Sequence, residues 1–179
     1  MLSKQALIDC VVANDGCDGG DMGDALDHII EKGVPSAAAY PYAARKGTCR
    51  GYIPPYMKIH FYTHLENANP AKIEEHLKHS PLPSILYSPK ELQYYVSGVY
   101  DSPACRNDKR LINHAAVIVG QYDGTFKIFH SSHRVYYAWI VRYSVISDWG
   151  LQGHILIAKG RCGLGLQSYE INSPFTIIQ

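Results

Sequence analysis

Apolar and polar positions alternate with one period in the first part of this 179-residue chain and with another in the second part. Ser3 stands where it can cap a short helix running through Cys10. A stronger helical stripe follows. Met22, Ala25, Leu26, Ile29 and Ile30 recur at the spacing of one helix face, with Asp21 as N-cap and Gly33 in the left-handed position that ends a helix. Tyr40, Pro41 and Tyr42 read as extended or turn structure, because the residue before a proline is driven out of the helical region. Asn69 caps a third helix predicted over residues 70–79, with Pro70 in its first turn, where a missing N–H does no harm. Pro81 and Pro83 close it.

Beyond that point the period shortens. Runs rich in Val, Ile, Tyr and Phe predict strands over residues 85–87, 114–121, 125–129, 138–143 and 154–158. Helices first and antiparallel strands later make an α+β protein. No internal repeat and no low-complexity segment interrupts the pattern.

Composition narrows the function classes. With 46% hydrophobic residues the chain can build a core as one domain or two small ones. Seventeen Lys and Arg against sixteen Asp and Glu leave a formal charge of +1, so no strong field favours nucleic acid or an anionic membrane surface. No apolar run approaches the roughly 20 residues of a spanning helix, and the first residues lack the apolar centre of a signal peptide. Cys10, Cys17, Cys49, Cys105 and Cys162 form no CxxC pair, which favours a disulfide framework with one cysteine left over against a zinc ribbon or a thioredoxin-like site. His60 with His64, His76 with His79, and His130 with His133 have spacings that could chelate a metal. No cysteine or carboxylate cluster completes such a site, so these histidines read as solvated surface residues. Neither a metal nor a cofactor is implied.

Three blocks carry the chemistry. The first runs through Leu2, Ser3, Gln5, Leu7, Asp9 and Cys10 to Gly16, Cys17, Gly19, Gly20 and Met22, and then to Tyr40, Pro41, Tyr42 and Cys49. In the second, Asn113 and His114 open the apolar run Ala115, Ala116, Val117, Ile118, Val119 and Gly120. The third joins Trp139, Ile140, Val141 and Arg142 to Trp149, Gly150 and Gly153. In order and spacing they resemble the papain-like cysteine peptidases, the group of papain and the lysosomal cathepsins, from Leu2 to about Ser173.

That family's chemistry needs a thiolate nucleophile, an imidazole beside it, a side-chain amide that fixes the ring, and oxyanion donors. The resemblance makes His114 the imidazole. It implies disulfides Cys10 with Cys49 and Cys105 with Cys162, and leaves Cys17 without a partner. The nucleophile belongs to a QGxCGSCW segment upstream of the first block. Nothing like that segment occurs here, so the chain is expected to be the C-terminal portion of such a peptidase and inactive alone. Gly19 and Gly20 resemble the glycines whose backbone pairs with an extended substrate. Met22, Ala115 and Gln167 resemble walls and floor of the main specificity pocket, suited to apolar or neutral polar side chains. Asn113 stands beside them, and Trp149 either lines the leaving-group side or is structural.

One departure lies in the third block. Tyr143 stands where the family has the ring-orienting asparagine, and Val145 replaces the tryptophan that shields that hydrogen bond. A tyrosine hydroxyl can accept a hydrogen bond, but it lies farther from the backbone than an amide oxygen, and the imidazole would have to move to reach it. Ser144 or Asp148 could take over the role.

The implied architecture is the two-lobed papain fold. Residues 1–54 form part of a helical lobe, residues 55–179 form an antiparallel β-barrel-like lobe, and the tail crosses back. Peptide or protein substrates would lie in the groove between lobes. Half-cystines and the resemblance together imply a lysosome-like vacuole or the exterior. Two rivals stand beside the peptidase: a pseudo-peptidase that binds peptides without cleaving them, for which Tyr143 speaks, and a metal-binding domain built on the histidine pairs.

Overall fold

The computed structural model describes residues 1–128, 131–143, 148–172 and 176–177, the backbone alone being described at 125–128, 131–136 and 176–177. Phe129, His130, Ser144 and Val145, which figure in the sequence pattern, lie outside the described residues, as does the side chain of His133. The chain forms two compact units, one of Met1–Tyr62 with Ile171–Gln179 and one of Thr63–Glu170.

In the first unit, α1 (Lys4–Cys10) begins at Ser3, whose hydroxyl accepts from the Ala6 N–H at 3.0 Å and donates to the Tyr40 carbonyl at 2.7 Å. The cap therefore also ties the helix to the loop beyond α2. Gln5, a buried polar residue of α1, is satisfied by the same loop: its amide nitrogen donates to the Arg45 carbonyl at 2.8 Å and its oxygen accepts from the Ala43 N–H at 2.8 Å. The Cys10–Cys49 disulfide, with Cα atoms 4.8 Å apart, closes the same region. α2 (Met22–Glu31) starts at Asp21, whose carboxylate accepts from the Gly23 N–H at 2.6 Å. Gly33, at φ +76°, ends it by donating to the Ile29 carbonyl at 3.0 Å. Of the predicted stripe, Leu26 is buried, while Met22, Ala25, Ile29 and Ile30 are half-buried. β1 (Met57–Lys58) pairs antiparallel with β9 (Thr176–Ile177).

The second unit is built on a seven-stranded sheet in the order β2-β8-β3-β5-β6-β7-β4, comprising β2 (Tyr62–Glu66), β3 (Leu82–Leu86), β4 (Val99–Tyr100), β5 (His114–Ile128), β6 (Ser131–Arg142), β7 (His154–Ala158) and β8 (Gln167–Ile171). β3 with β5, β5 with β6, β6 with β7 and β3 with β8 pair antiparallel, whereas β4 pairs parallel with β7. The two strands predicted over 114–121 and 125–129 are one strand to Ile128: Asp123 and Gly124, which look like a turn in sequence, pair with Tyr137 and Tyr136 inside the long β5–β6 ladder. The strand predicted over 85–87 begins at Leu82 and alternates Leu82, Ser84 and Leu86 onto the buried face.

α3 (Pro70–Leu77), capped by the Asn69 side chain on the Lys72 N–H at 2.9 Å, inserts Ile73 at 1% exposure into the core. That core gathers Leu65, Leu82, Leu86, Leu92, Ile118, Trp139, Val141, Ile155, Ile157 and Leu164. The Cys105–Cys162 disulfide, Cα atoms 4.6 Å apart, lies within it. No helix among the described residues is long and apolar enough to cross a membrane.

Candidate active site

β5 determines where His114 sits. Side chains alternate across a strand, so His114 shares its face with the buried Ala116 and Ile118, while Ala115 points to the other face. As the first residue of β5, paired with Leu86 at the end of β3, His114 is half-buried at the rim of the sheet. The preceding Asn113 clamps this corner, accepting from the Ser88 N–H at 2.8 Å and donating to the Ser88 carbonyl at 3.1 Å.

The His114 ring lies against Tyr143, centroids 4.4 Å apart with 38° between planes. Tyr143 is buried by its place after β6, where its backbone N–H donates to the Gly153 carbonyl at 2.9 Å. Its hydroxyl makes a short hydrogen bond with the Ser88 hydroxyl. The phenol thus neither donates to nor accepts from the imidazole. Nε2 of His114 is buried and finds no hydrogen-bond partner among the described residues, Asp148 included. Burial lowers the pKa of His114. Burial raises that of Tyr143, against the opposing effect of its bond with Ser88. A protonated imidazole has two N–H donors to satisfy, and Nε2–H would face no acceptor among the described residues, which favours the neutral ring in the same direction as burial does.

Tyr143 also packs on Trp149 at 4.8 Å between centroids, and Trp149 on Tyr95 at 5.5 Å. His114, Tyr143, Trp149 and Tyr95 therefore form one aromatic row. Trp149 donates its indole N–H to the Gln93 carbonyl at 3.1 Å and packs against the core.

On the opposite face from His114, Ala115 pairs with Ile85, and the register Ser84 with Ser168 places Gln167 beside Ile85. Ala115, Ile85 and Gln167 thus make one cross-strand row. The Gln167 amide donates to the Tyr169 hydroxyl at 2.5 Å, and Tyr169 stacks on His64 at 4.8 Å. Ile85 fell within a predicted strand but was not assigned to the site, and Ser88 escaped the sequence pattern. Ile85 could have been found from its alternation with the core leucines of β3, whereas Ser88 carries no signal until Tyr143 is known to reach it.

In the first unit, Gly19 at φ +125° and Gly20 at φ +156° occupy conformations that favour glycine. Gly20 lies under the Asn14 side chain, which holds the backbone of Asp21 through bonds of 2.8 and 3.0 Å. Met22 is the first residue of α2, and Cys17 is an exposed free thiol. A cavity of about 650 Å³ in this unit, bounded by Ala6, Val11, His28, Tyr40, Arg50 and Tyr52, contains none of the residues assigned to substrate binding.

The histidine pairs need a correction. His76 is not a solvated surface residue: its Nδ1 lies 2.5 Å from the carboxyl group of Glu170, itself 4% exposed, so it partners a buried polar group. Among the described residues no group of three or more His, Cys, Asp or Glu is placed to hold a metal ion.

Known proteins place this arrangement in a family. The model described as papain family cysteine protease matches residues 1–173. The chain is 35% identical over 174 residues to ananain of Ananas comosus, covering 92% of this chain and 46% of that protein. To procathepsin L of Mus musculus it is 34% identical over 182 residues, covering 91% and 49%. It thus spans about half the length of the curated relatives it matches. Among solved structures it resembles the bromelain protease from Ananas comosus in complex with the E64 inhibitor, with TM-score 0.83, 30% identity, and coverage of 97% of this chain and 78% of that one. Digestive procathepsin L2 proteinase from Tenebrio molitor larval midgut gives TM-score 0.82 at 28% identity, with 94% and 52% covered. The chain belongs to the papain family of cysteine proteases.

Proposed function

We propose that this chain supplies the imidazole and part of the peptide-binding surface of a thiol peptidase, with His114 as the base that takes the thiol proton. The observation that carries this is His114 itself: a half-buried imidazole at the rim of a rigid sheet, its Nε2 buried and its pKa lowered by burial, so that the neutral, proton-accepting form is favoured. The thiolate would attack a peptide carbonyl, the imidazolium would protonate the leaving amine, and water deprotonated by His114 would then hydrolyse the acyl-thioester. None of the five cysteines here stands in the family's nucleophile motif, so the thiol would come from polypeptide outside these 179 residues.

Substrates would be peptides or proteins held between a helical lobe of residues 1–54 and a β lobe of residues 55–179. Gly19, Gly20 and Met22 would contact them from the first, and Asn113, Ala115, Gln167 and Trp149 from the second. The row Ala115, Ile85 and Gln167 favours apolar or neutral polar side chains on the substrate. Disulfides fit an oxidising lumen or the exterior.

One observation favours a pseudo-peptidase that binds without cleaving: the hydroxyl of Tyr143 is committed to Ser88, and Nε2 of His114 lacks an acceptor among the described residues, so the thiolate–imidazolium pair would lose its usual support. Labelling the protein in its natural source with an epoxide thiol-peptidase probe, followed by intact mass measurement, separates the two. A labelled species containing this sequence supports the peptidase. Peptide binding without labelling or hydrolysis supports the pseudo-peptidase.

A further inference from the structure

Three residues close a circuit around His114. Asn113 precedes it and is bonded twice to the backbone of Ser88. The Ser88 hydroxyl bonds to that of Tyr143, and the Tyr143 ring returns to the imidazole at 4.4 Å. Behind Tyr143 the row is anchored at each ring: Trp149 by its bond to the Gln93 carbonyl, Tyr95 by donating to the Gly98 carbonyl at 2.7 Å and accepting from the Leu156 N–H at 3.2 Å.

We propose that Ser88 and Tyr143 together are the positioning device for His114, the hydroxyl bond fixing the phenol so that its ring holds the imidazole by tilted ring contact. A hydrogen-bond acceptor would orient the ring and stabilise its cation at once. An aromatic face restrains rotation about the bond joining ring to side chain, yet offers the buried Nε2 no acceptor. Orientation and charge stabilisation are thereby separated. Ser88 is a positioning residue because it touches Tyr143 and not the imidazole; its effect on His114 passes through the phenol. The catalytic meaning of this device rests on the peptidase proposal, but its geometry does not.

The test is nuclear magnetic resonance of the 179-residue chain with labelled histidine, read at the His114 ring. The Tyr143 ring current displaces the His114 ring-proton resonances upfield. Ser88→Ala and Tyr143→Phe each remove the hydroxyl bond and are expected to reduce that displacement by roughly half, as the centroids part beyond the observed 4.4 Å. The double variant is expected to go no further, because both changes break one bond. Ser88→Thr, which keeps a hydroxyl, restores the displacement. Tyr143→Asn removes the ring, supplies an amide acceptor, and raises the His114 titration midpoint by about one unit.

Methyl resonances of Ile118, on the same strand, report folding throughout; if alanine at 88 unfolds the sheet, Tyr143→Phe alone breaks the bond, and an unchanged displacement there overturns the proposal equally. An unchanged ring-current displacement in Ser88→Ala, or additive losses in the double variant, overturns the proposal. No thiol and no hydrolysis enter this measurement, so it fails or stands separately from the probe labelling that tests the peptidase.

Discussion

Asp9 offers the sharpest test of how the first unit is held. One carboxylate oxygen accepts from the Gln5 amide and from the Gly47 N–H, both at 2.7 Å, and the other accepts from the Tyr40 hydroxyl at 2.8 Å. Asp9→Ala removes all three acceptor contacts. The loss is less than three charge-assisted bonds, because Gln5 keeps its bond to the Arg45 carbonyl, Tyr40 keeps the one it accepts from the Arg50 N–H, and the Gly47 N–H is exposed enough to reach water. One such bond, at about 2 kcal/mol, is the expected net cost. The disulfide Cys10–Cys49 still tethers the loop, so the damage stays local.

Hydrogen exchange followed by mass spectrometry reads this directly. Protection of residues 40–50 is expected to fall roughly 30-fold, the equivalent of about 2 kcal/mol, while β5 and β7 in the second unit keep theirs. The pH dependence follows from the sign of the shift. Burial tends to raise the Asp9 pKa, but the Gly47 N–H, the Tyr40 hydroxyl, the Gln5 amide and the Arg50 charge outweigh it and hold it below the ordinary 3.8. A carboxylate depressed on folding contributes stability that is present above its unfolded value and is lost as the pH falls through its folded value. Wild type and Asp9→Ala should therefore differ most near neutrality and converge as the pH falls through the depressed folded value of Asp9. Equal protection of residues 40–50 at neutral pH, or a difference that persists in acid, would refute the reasoning.

Three further outcomes are expected. Replacing Cys105 and Cys162 by serine opens a loop closed across 57 residues, and chain entropy predicts a loss of about 4 kcal/mol, seen as a lowered urea midpoint in Trp139 and Trp149 fluorescence, both in the second unit. Ile73→Ala empties the seat of α3 and should cost about 3 kcal/mol by the same assay; a change under about 1 kcal/mol would mean α3 collapses onto the gap. Lys159, 10% exposed at its side chain, reaches Glu74 at 2.7 Å, Gln121 at 3.1 Å and the Trp139 ring at 4.6 Å, so Lys159→Met should cost about 1–2 kcal/mol and shift Trp139 emission, whereas Lys159→Arg should retain most of the stability.

What the sequence disclosed follows from the range of the forces involved. α2 was legible because its cap, stripe and terminal glycine lie within thirteen consecutive residues, and α3 because Asn69 and Pro70 announce it. β8 was invisible. Its buried residues include Ser168 and Glu170, which a periodicity of apolar residues assigns to solvent; their partners, Ser84 and His76, lie 84 and 94 residues away in sequence. The turn-like text of Asp123 and Gly124 concealed the continuity of β5, because strand pairing with β6 overrides local preference there.

The same limit applies at the site. His114 and Tyr143 were legible only through the resemblance of their blocks to the papain-like peptidases, since an isolated histidine opening an apolar strand carries no such signal. That the phenol would bypass the imidazole was half legible, since its hydroxyl lies too far from its own backbone to stand in for an amide oxygen. Its actual destination depended on Ser88, 55 residues earlier, brought alongside by the clamp of Asn113 and the pairing of β3 with β5. If Tyr143 stands at the family's asparagine position, as proposed, one substitution changes two things at once: it leaves Nε2 without an acceptor among the described residues and brings an aromatic ring against the imidazole, so that the histidine is oriented by a contact that does not favour its charge. Restoring the amide with Tyr143→Asn is then a test of charge, and removing the serine hydroxyl a test of orientation. In the family's usual arrangement one residue does both, and the two could not be measured apart.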